Sequence, residues 1–437
     1  STMENNKKIL IITYYWPPAG GIAVKRWLAL SGELADLDCE VHVLTLDEAA
    51  AEYNSIDRGL QDAVHPGVHV HKVTAWNPFR LTKRLFRRHI PKTGFSAPEN
   101  GSSKANLLTI LRSNLFIPDP RRTWNSNAIR RAIEIIDSEQ IETIITTSPP
   151  HSTQLIGLHI VKKRSVKWVA DFRDPWTDIF YYSRLGHSKV SARIDAFFER
   201  KVLSRADAIV TVTWGFAKLL QSKSSRRDED VFHVIPNGID GEISKPEPPQ
   251  EATKRRIVYT GILGDSYFIE SFLEAVDQLN SQMKDPFIFC DFYGSVPSKL
   301  EDALSKRFSF VCFHGTIPMQ EIRAIQESAD ALFLTGPIGF DTIIPGKLFE
   351  YLSVSKPVLY LGSPDSDVER ILRETKTGFV LDRLKPESFE AVIQDALQIS
   401  SENKVFSPDL KALSRYFRSS QAKMILDVIR AAQSNQG

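Results

Sequence analysis

Residues 7–27 read KKILIITYYWPPAGGIAVKRW. The first part is an almost unbroken apolar run rich in β-branched and aromatic side chains, as a parallel strand covered on both faces requires. Two prolines and two glycines follow, then a stretch with apolar residues at helical spacing. Strand, glycine-rich loop and helix form the opening unit of a doubly wound sheet, so this stretch decides the fold class. Gly20 and Gly21 lie where the backbone leaves the strand, and lacking side chains they would let a substrate approach the main chain directly. A plain tight turn is the other reading of the same two residues.

The alternation continues outward. CEVHVLTL and VHVHKV read as strands, and SNAIRRAIEIIDSEQ, STQLIGLHIVKKR and SARIDAFFERKVLSRA as helices among the strands IETIITTS, VKWVADF and DAIVTVT. At residues 234–240, VIPNGID carries turn chemistry, and the polar, proline-rich KPEPPQEATK after it marks a hinge. Then the pattern restarts, with RRIVYTG, FIFCDFYG, SFVCFHG and DALFLTG as strands and SFLEAVDQLNSQM, MQEIRAIQESA and ESFEAVIQDALQIS as helices. The expected fold is α/β, with two doubly wound Rossmann-like domains facing across a cleft. They span residues 3–238 and 239–405, and a C-terminal helical segment, 406–437, packs back towards the first. Ligands of such sheets bind at the carboxyl ends of the strands.

Composition narrows the function. A chain of 437 residues is too long for one ordinary core, and 42% hydrophobic with 25% charged residues argues against disorder. The net charge of +2 gives no global case for a nucleic-acid partner. No apolar stretch approaches the ~20 residues of a membrane span. Cys39, Cys290 and Cys312 lie far apart, each in or beside an apolar run. Buried free thiols in a reducing, cytoplasmic compartment are therefore expected, rather than disulfides or a zinc site. No His, Cys or carboxylate cluster has metal-ligand spacing. The acidic triplet DSD at 365–367 begins a helix and reads as an N-cap.

Several stretches carry chemistry. IIPGKLFEYLSVSKPVLYLG, residues 343–362, places a short helix between a loop and a buried strand. Gly346 permits close backbone approach, the helix start offers N–H groups to an anion, and Lys347 adds a positive charge. Glu350, one turn on, is placed to accept hydrogen bonds from sugar hydroxyls. Equally, Glu350 could complement the helix dipole and Lys347 be solvated, and spacing does not separate these readings. TTSPPHST and ADFRDPW both follow strands at the ligand edge. His151 is held rigidly after two prolines, to steady a sugar or phosphate or simply to pack. Asp171, Arg173 and Asp174 form a charged knot. One carboxylate would orient or deprotonate a substrate hydroxyl while the other pairs with Arg173, and Asp171, directly after the strand, is the favoured one. In NPFRLTKRLFRRHIPK, residues 77–92, Arg84, Arg87 and Arg88 stand beside Phe86 and other apolar residues. That is the composition of a segment drawn to anionic lipid, or of a solvated basic loop.

PGKLFEYLSVSKPVL, YYWPPAGGIAVKRW, TTSPPHST, ADFRDPW and VIPNGID together resemble family 4 glycosyltransferases of the GT-B fold, most closely the bacterial branch that builds surface polysaccharides. The resemblance covers nearly the whole chain. It implies that Glu350 binds the ribose of a nucleotide sugar, and that the usual partner glutamate, eight residues earlier, is replaced by Thr342. In YTGILGDSYF, where relatives often carry an Arg and a Lys for the diphosphate, Gly261 and Gly264 leave only a backbone nest. Lys347 is then the preferred phosphate contact, with Lys25 or Arg26 as helpers across the cleft. The loop at His314 and Gly315 would meet the base through its backbone.

The resemblance further implies a retaining, metal-independent transfer with no cofactor, from a nucleotide sugar on the C-terminal domain to a glycan or lipid-linked acceptor on the N-terminal one. Arg173 and Asp174 would lie on the acceptor side. The basic segment would touch the inner face of the cytoplasmic membrane. Two other functions stay open: a nucleotide-sugar 2-epimerase of the same fold, and a non-catalytic sugar-binding or scaffold protein. A panel of nucleotide sugars separates the three by hydrolysis, isomerisation or binding without turnover.

Overall fold

The computed structural model describes residues 7–51, 53, 55–75, 114, 117–178, 182–225, 229–245, 254–282, 287–339, 341–399 and 406–434. The basic segment 77–92, with Arg84, Phe86, Arg87 and Arg88, lies outside the described residues. The chain divides into two units, Ser1–Pro236 with Arg418–Gly437, and Asn237–Phe417.

In the first unit the chain order is β1 (Lys8–Ile12), α1 (Ile22–Asp36), β2 (Glu40–Leu46), β3 (Val68–Val73), α2 (Asn125–Glu139), β4 (Thr143–Ser148), α3 (Ser152–Ile160), β5 (Lys167–Phe172), α4 (Lys189–Arg205), β6 (Ala208–Thr211), α5 (Trp214–Lys223) and β7 (Phe232–Val234). The strands form one parallel sheet in the order β3-β2-β1-β4-β5-β6-β7. The winding reverses between β1 and β4, the crevice where such sheets take ligands. Pleating sends Leu10 and Ile12 into one core and Ile9 and Ile11 into the other. This is why the opening run is apolar without alternation.

The second unit continues with β8 (Arg255–Thr260), α6 (Glu270–Ser281), β9 (Ile288–Tyr293), α7 (Ser298–Arg307), β10 (Val311–Gly315), α8 (Met319–Glu327), β11 (Ala331–Thr335), α9 (Lys347–Ser353), β12 (Val358–Gly362), α10 (Asp367–Thr375), β13 (Gly378–Asp382), α11 (Phe389–Ala396) and α12 (Leu410–Ser414). Its sheet order, β10-β9-β8-β11-β12-β13, repeats the doubly wound plan. α7 has no counterpart in the sequence reading. Its segment SKLEDALSKR buries only Leu304 and so shows no apolar period.

The C-terminal stretch 406–437 is shared. α12 stays with the second unit, tied by the Asp409 N–H donating to the Thr375 carbonyl at 2.8 Å. The last helix, α13 (Arg418–Ser434), returns to the first unit and sets Ala422, Ile425, Leu426 and Ile429 into its core. Among the described residues, no helix is long and apolar enough to cross a membrane. Cys39 and Cys290 are buried free thiols, but Cys312 on the edge strand β10 is exposed, against expectation. Strand alternation turns it away from the core that holds Val311.

α3 crosses β5 at Gly157, where a Cβ would fall inside the Trp168 ring. That ring is fixed by its Nε1–H donating to Thr146 Oγ1 at 2.7 Å. Gly157→Ala should therefore lower the urea midpoint by an amount equivalent to about 1–3 kcal/mol, with an unchanged m-value. A gain of up to about 1 kcal/mol, the helix-propensity effect alone, would show that the contact yields.

Candidate active site

In the first unit, the carboxyl ends of β4 and β5 carry the charged knot. Asp171 is fully buried. Its Oδ1 accepts from Arg26 Nη2 at 3.1 Å, and its Oδ2 from Trp27 Nε1 at 2.8 Å and Thr147 Oγ1 at 2.7 Å. Arg26, equally buried, donates through Nη1 to the Pro236 carbonyl at 3.0 Å. A carboxylate with both oxygens occupied and no exposure cannot orient or deprotonate a substrate hydroxyl. The choice of Asp171 for that task is corrected: the pleat turns it inward to α1, and its ionic partner is Arg26. For the same reason Arg26 is not a phosphate helper.

Asp174 stands differently. It is partly exposed, accepts no hydrogen bond among the described residues, and burial raises its carboxyl pKa against the pull of Arg173. Arg173 donates through Nη2 to the Pro149 carbonyl at 2.7 Å, and burial lowers its pKa. His151 lies parallel to the Trp176 ring, with centroids 5.2 Å apart and planes 10° apart. Neither ring nitrogen reaches solvent or finds a partner among the described residues. Burial, then the charges of Arg173 and Lys223, lowers its pKa to about 3. Burial favours the neutral imidazole, which packs on Trp176 with both ring nitrogens turned from solvent. Trp176 in turn donates to Asp195 of α4, which also accepts from Tyr182 Oη at 2.8 Å. His151 thus belongs to the clamp that holds the DPW turn on α4.

In the first loop, the Gly20 N–H donates to the Ser55 carbonyl at 3.0 Å, and a Cβ there would meet Ser55 Oγ at 2.9 Å. Gly20 is packed against a neighbouring loop. Gly21 is the open one, exposed at the start of α1 with φ +95°.

In the second unit, three adjacent strands end in left-handed glycines: Gly261 after β8, Gly294 after β9 and Gly315 closing β10. The Gly261 N–H donates to the Tyr293 carbonyl and the Gly294 N–H to the Gly315 carbonyl, each at 2.8 Å. A side chain at Gly294 would strike the Gly261 carbonyl, and one at Gly261 would displace the Lys347 ammonium. Lys347, first residue of α9, reaches back over these strand ends. Its Nζ donates to Tyr259 Oη at 2.8 Å and lies 4.0 Å from that ring's centroid. Burial lowers its pKa to about 8, with Glu350 opposing.

Around this ammonium the expected residues fall as follows. Glu350 and Thr342 are exposed, and Gly346 takes helical φ and ψ at the start of α9. Gly264 opens the turn 265–267 beneath the Tyr267 ring. The His314 ring is engaged, with Nε2 and Asp291 Oδ1 2.8 Å apart and its face stacked on Tyr293. At the DSD triplet, Ser366 Oγ accepts from the Glu369 N–H at 3.2 Å, capping α10.

Arg383 went unnoticed in the sequence. It follows β13 and donates to the Tyr267 carbonyl at 2.7 Å, the Phe268 carbonyl at 3.0 Å and Thr335 Oγ1 at 2.9 Å. It thereby fixes the loop after β8 to the end of β11. A lone arginine after the strand GFVLD was the only signal.

The sequence matches the model of the glycosyl transferase 4-like domain over residues 20–238. Comparison with curated proteins gives no significant match. Among solved structures, the chain is similar to a glycosyltransferase from Rickettsia africae, with TM-score 0.58 and 11% identity, covering 99% of this chain and 100% of that one. It is also similar to the lipopolysaccharide outer core galactosyltransferase WaaB (TM-score 0.56, 13% identity, 97% and 98% covered). A third is HepE from Anabaena, in complex with UDP and glucose (TM-score 0.54, 12% identity, 97% and 100% covered). At such identities the likeness shows the fold alone, which is GT-B.

The packed imidazole has a measurable consequence. His151 takes up a proton near pH 6.5 when unfolded but only near pH 3 when folded. Its stabilising contribution is therefore complete above about pH 6.5 and is lost as the pH falls through the window down to about 3. Relative to His151→Phe, which keeps the stack, wild-type stability should fall by up to about 1.4 kcal/mol per pH unit in that window. Denaturant titrations with parallel pH profiles for the two proteins would show that the imidazole protonates freely in the folded state.

Proposed function

Since the chain belongs to the glycosyl transferase 4-like family, we propose that it moves a sugar from a nucleotide-sugar donor to a glycan acceptor, with the donor held by the second unit. The observation that carries this reading is the Lys347 ammonium lying against Gly261. As the diphosphate leaves, negative charge grows on its oxygens, and a cation already in place beside open backbone stabilises that charge without reorganising. Relatives often supply such charge from the loop after β8. Here that loop reads GDS, and the cation comes from α9 instead. Glu350, exposed one turn along, is free to accept from ribose hydroxyls. Thr342 in place of a glutamate removes one expected contact to the donor sugar.

On the acceptor side, Asp174 takes the part first given to Asp171. A partly exposed, unpaired carboxyl with a raised pKa suits hydrogen bonding to an incoming hydroxyl. Retention of configuration, independence of metal in the transfer, a lipid-linked acceptor in surface-polysaccharide synthesis and attachment of segment 77–92 to an anionic cytoplasmic membrane complete the proposal. Lys347 supplies the charge that a metal would otherwise bring. Product analysis with a panel of nucleotide sugars tests it: a new glycoside supports the transferase, and an isomerised donor or binding without turnover overturns it.

Two measurements address the donor edge. Glu350→Gln should weaken calorimetric binding of UDP or GDP by about 1–3 kcal/mol. Unchanged affinity would remove Glu350 from the ribose. Lys347→Met, which keeps the buried stem, should lower turnover by about two to three orders of magnitude. In the wild type, nucleotide affinity should hold below the pKa of about 8 and decline above it as the ammonium is lost, and this decline should be absent from Lys347→Met. A variant with wild-type rate would place the diphosphate elsewhere.

A further inference from the structure

The first unit holds a polar cluster at the amino ends of its strands, the opposite end of the sheet from the charged knot. Glu40 and His42 are two apart on β2 and so share one face. α2 covers that face and ends at Glu139. We propose that Glu40, His42 and Glu139 form a binding site for a divalent ion of the zinc class, separate from the transfer chemistry. One ligand atom from each of the three lies within 4.8 Å of the other two. Bonds of about 2.0–2.2 Å put the ligand atoms of one tetrahedral ion roughly 3.3–3.6 Å apart, so binding draws the partly exposed Glu40 and Glu139 side chains inward.

The imidazole is already positioned for this role. His42 is buried, with the near-parallel ring of His69 4.9 Å away centre to centre and His71 meeting it edge to edge. His42 Nε2 and Glu40 Oε1 are 3.0 Å apart, and His42 Nδ1 and His71 Nε2 are also 3.0 Å apart. A carboxylate only accepts, so without an ion His42 donates from Nε2 to Glu40, and in the neutral tautomer this leaves, His42 Nδ1 accepts from His71 Nε2–H. His71 Nδ1 then accepts from Arg131 Nη2 at a weak 3.4 Å. An ion at Nε2 takes the place of that proton, moves the N–H to Nδ1 and reverses the bond to His71. His71 then supplies the hydrogen-bonded support that metal-bound imidazoles usually have. At His71 the change forfeits the long Arg131 contact. One imidazole with two carboxylates suits zinc.

A cation already sits beside the Glu40 carboxylate. Lys8 Nζ lies 3.3 Å from Glu40 Oε2 and donates to the Glu139 carbonyl at 3.0 Å. Its side chain is 33% exposed, so it can swing out to solvent when an ion enters. This gives the site a signature that adventitious binding lacks: removing the lysine charge should strengthen metal binding.

The test uses the full chain, stripped with chelator, with Cys312→Ser throughout to remove the exposed thiol. Zinc is titrated in competition with a chromophoric chelator. The expected result is one zinc per chain, affinity about tenfold or more weaker in Glu139→Gln, and tighter binding in Lys8→Met. Zinc should also raise the melting temperature of the parent but not of Glu139→Gln. Glu139 is partly exposed at a helix end, so its substitution keeps the fold, whereas buried His42 offers a riskier variant. Less than one zinc per chain, equal affinity in Glu139→Gln, or no tightening in Lys8→Met overturns the proposal.

Discussion

The buried pair of Arg26 and Asp171 is the constraint on which the first unit depends. Two opposite charges without solvent exposure persist only if each is fully hydrogen-bonded, and breaking such a pair by removing one partner typically costs about 3–5 kcal/mol. Here the bonds reach α1 through Arg26 and Trp27, β4 through Thr147, β5 through Asp171 and the chain exit through Pro236. Pro236 also accepts from Gln421 of α13 at 2.7 Å. One ion pair therefore sets where the first loop leaves the sheet, where the DPW turn begins and where the last helix lies. Gly21 and Asp174, the open groups of that edge, owe their positions to a carboxylate whose partners all lie within the unit.

The second unit solves a different problem. On the proposed reading its donor edge needs positive charge next to bare backbone, and the loop after β8 brings none. Gly261 and Gly294 clear the space, and Lys347 enters it from another element, resting on the Tyr259 ring. Partial burial of that ammonium strengthens its attraction to any anion that reaches it, because less solvent screens the charge. Arg383 ties the loop after β8, through the Tyr267 and Phe268 carbonyls, to Thr335 at the end of β11. Preorganisation is thus spread over β8, β9, α9 and the turn after β13.

The fold class and family were legible because both are written in local periods. The strand runs are apolar where both faces are covered, and the glycine loop, the PPH and DPW turns and the PGK helix each sit beside a strand that can be read without the others. What the sequence concealed were choices of direction. Whether Asp171 points inward or outward depends on the pleat of β5, and one residue of register separates a structural carboxylate from a catalytic one. Asp174 lies past the strand end and escapes that constraint. Lys347 could be placed on its helix from sequence, but its contact with Tyr259 spans 88 residues. Glu139 meets His42 only because α2 crosses β2, so ligand spacing along the chain gave no sign of it.

The return of α13 to the first unit bears on how the protein is made. During synthesis, residues 1–236 emerge before α13, so one face of their sheet, partly covered by α1, lacks the rest of its cover until α13 is made. Ile9, Ile11, Val41, Val43 and Val210 are all in the core that α13 completes. The second unit, by contrast, is continuous in sequence, and the segments that open and close it are joined, with the Ile239 N–H donating to the Tyr416 carbonyl at 2.7 Å. It can therefore finish folding on the ribosome while the earlier-made unit waits with an apolar face partly uncovered. A nascent chain of this protein matures from its middle outward, and the order of translation is not its order of folding.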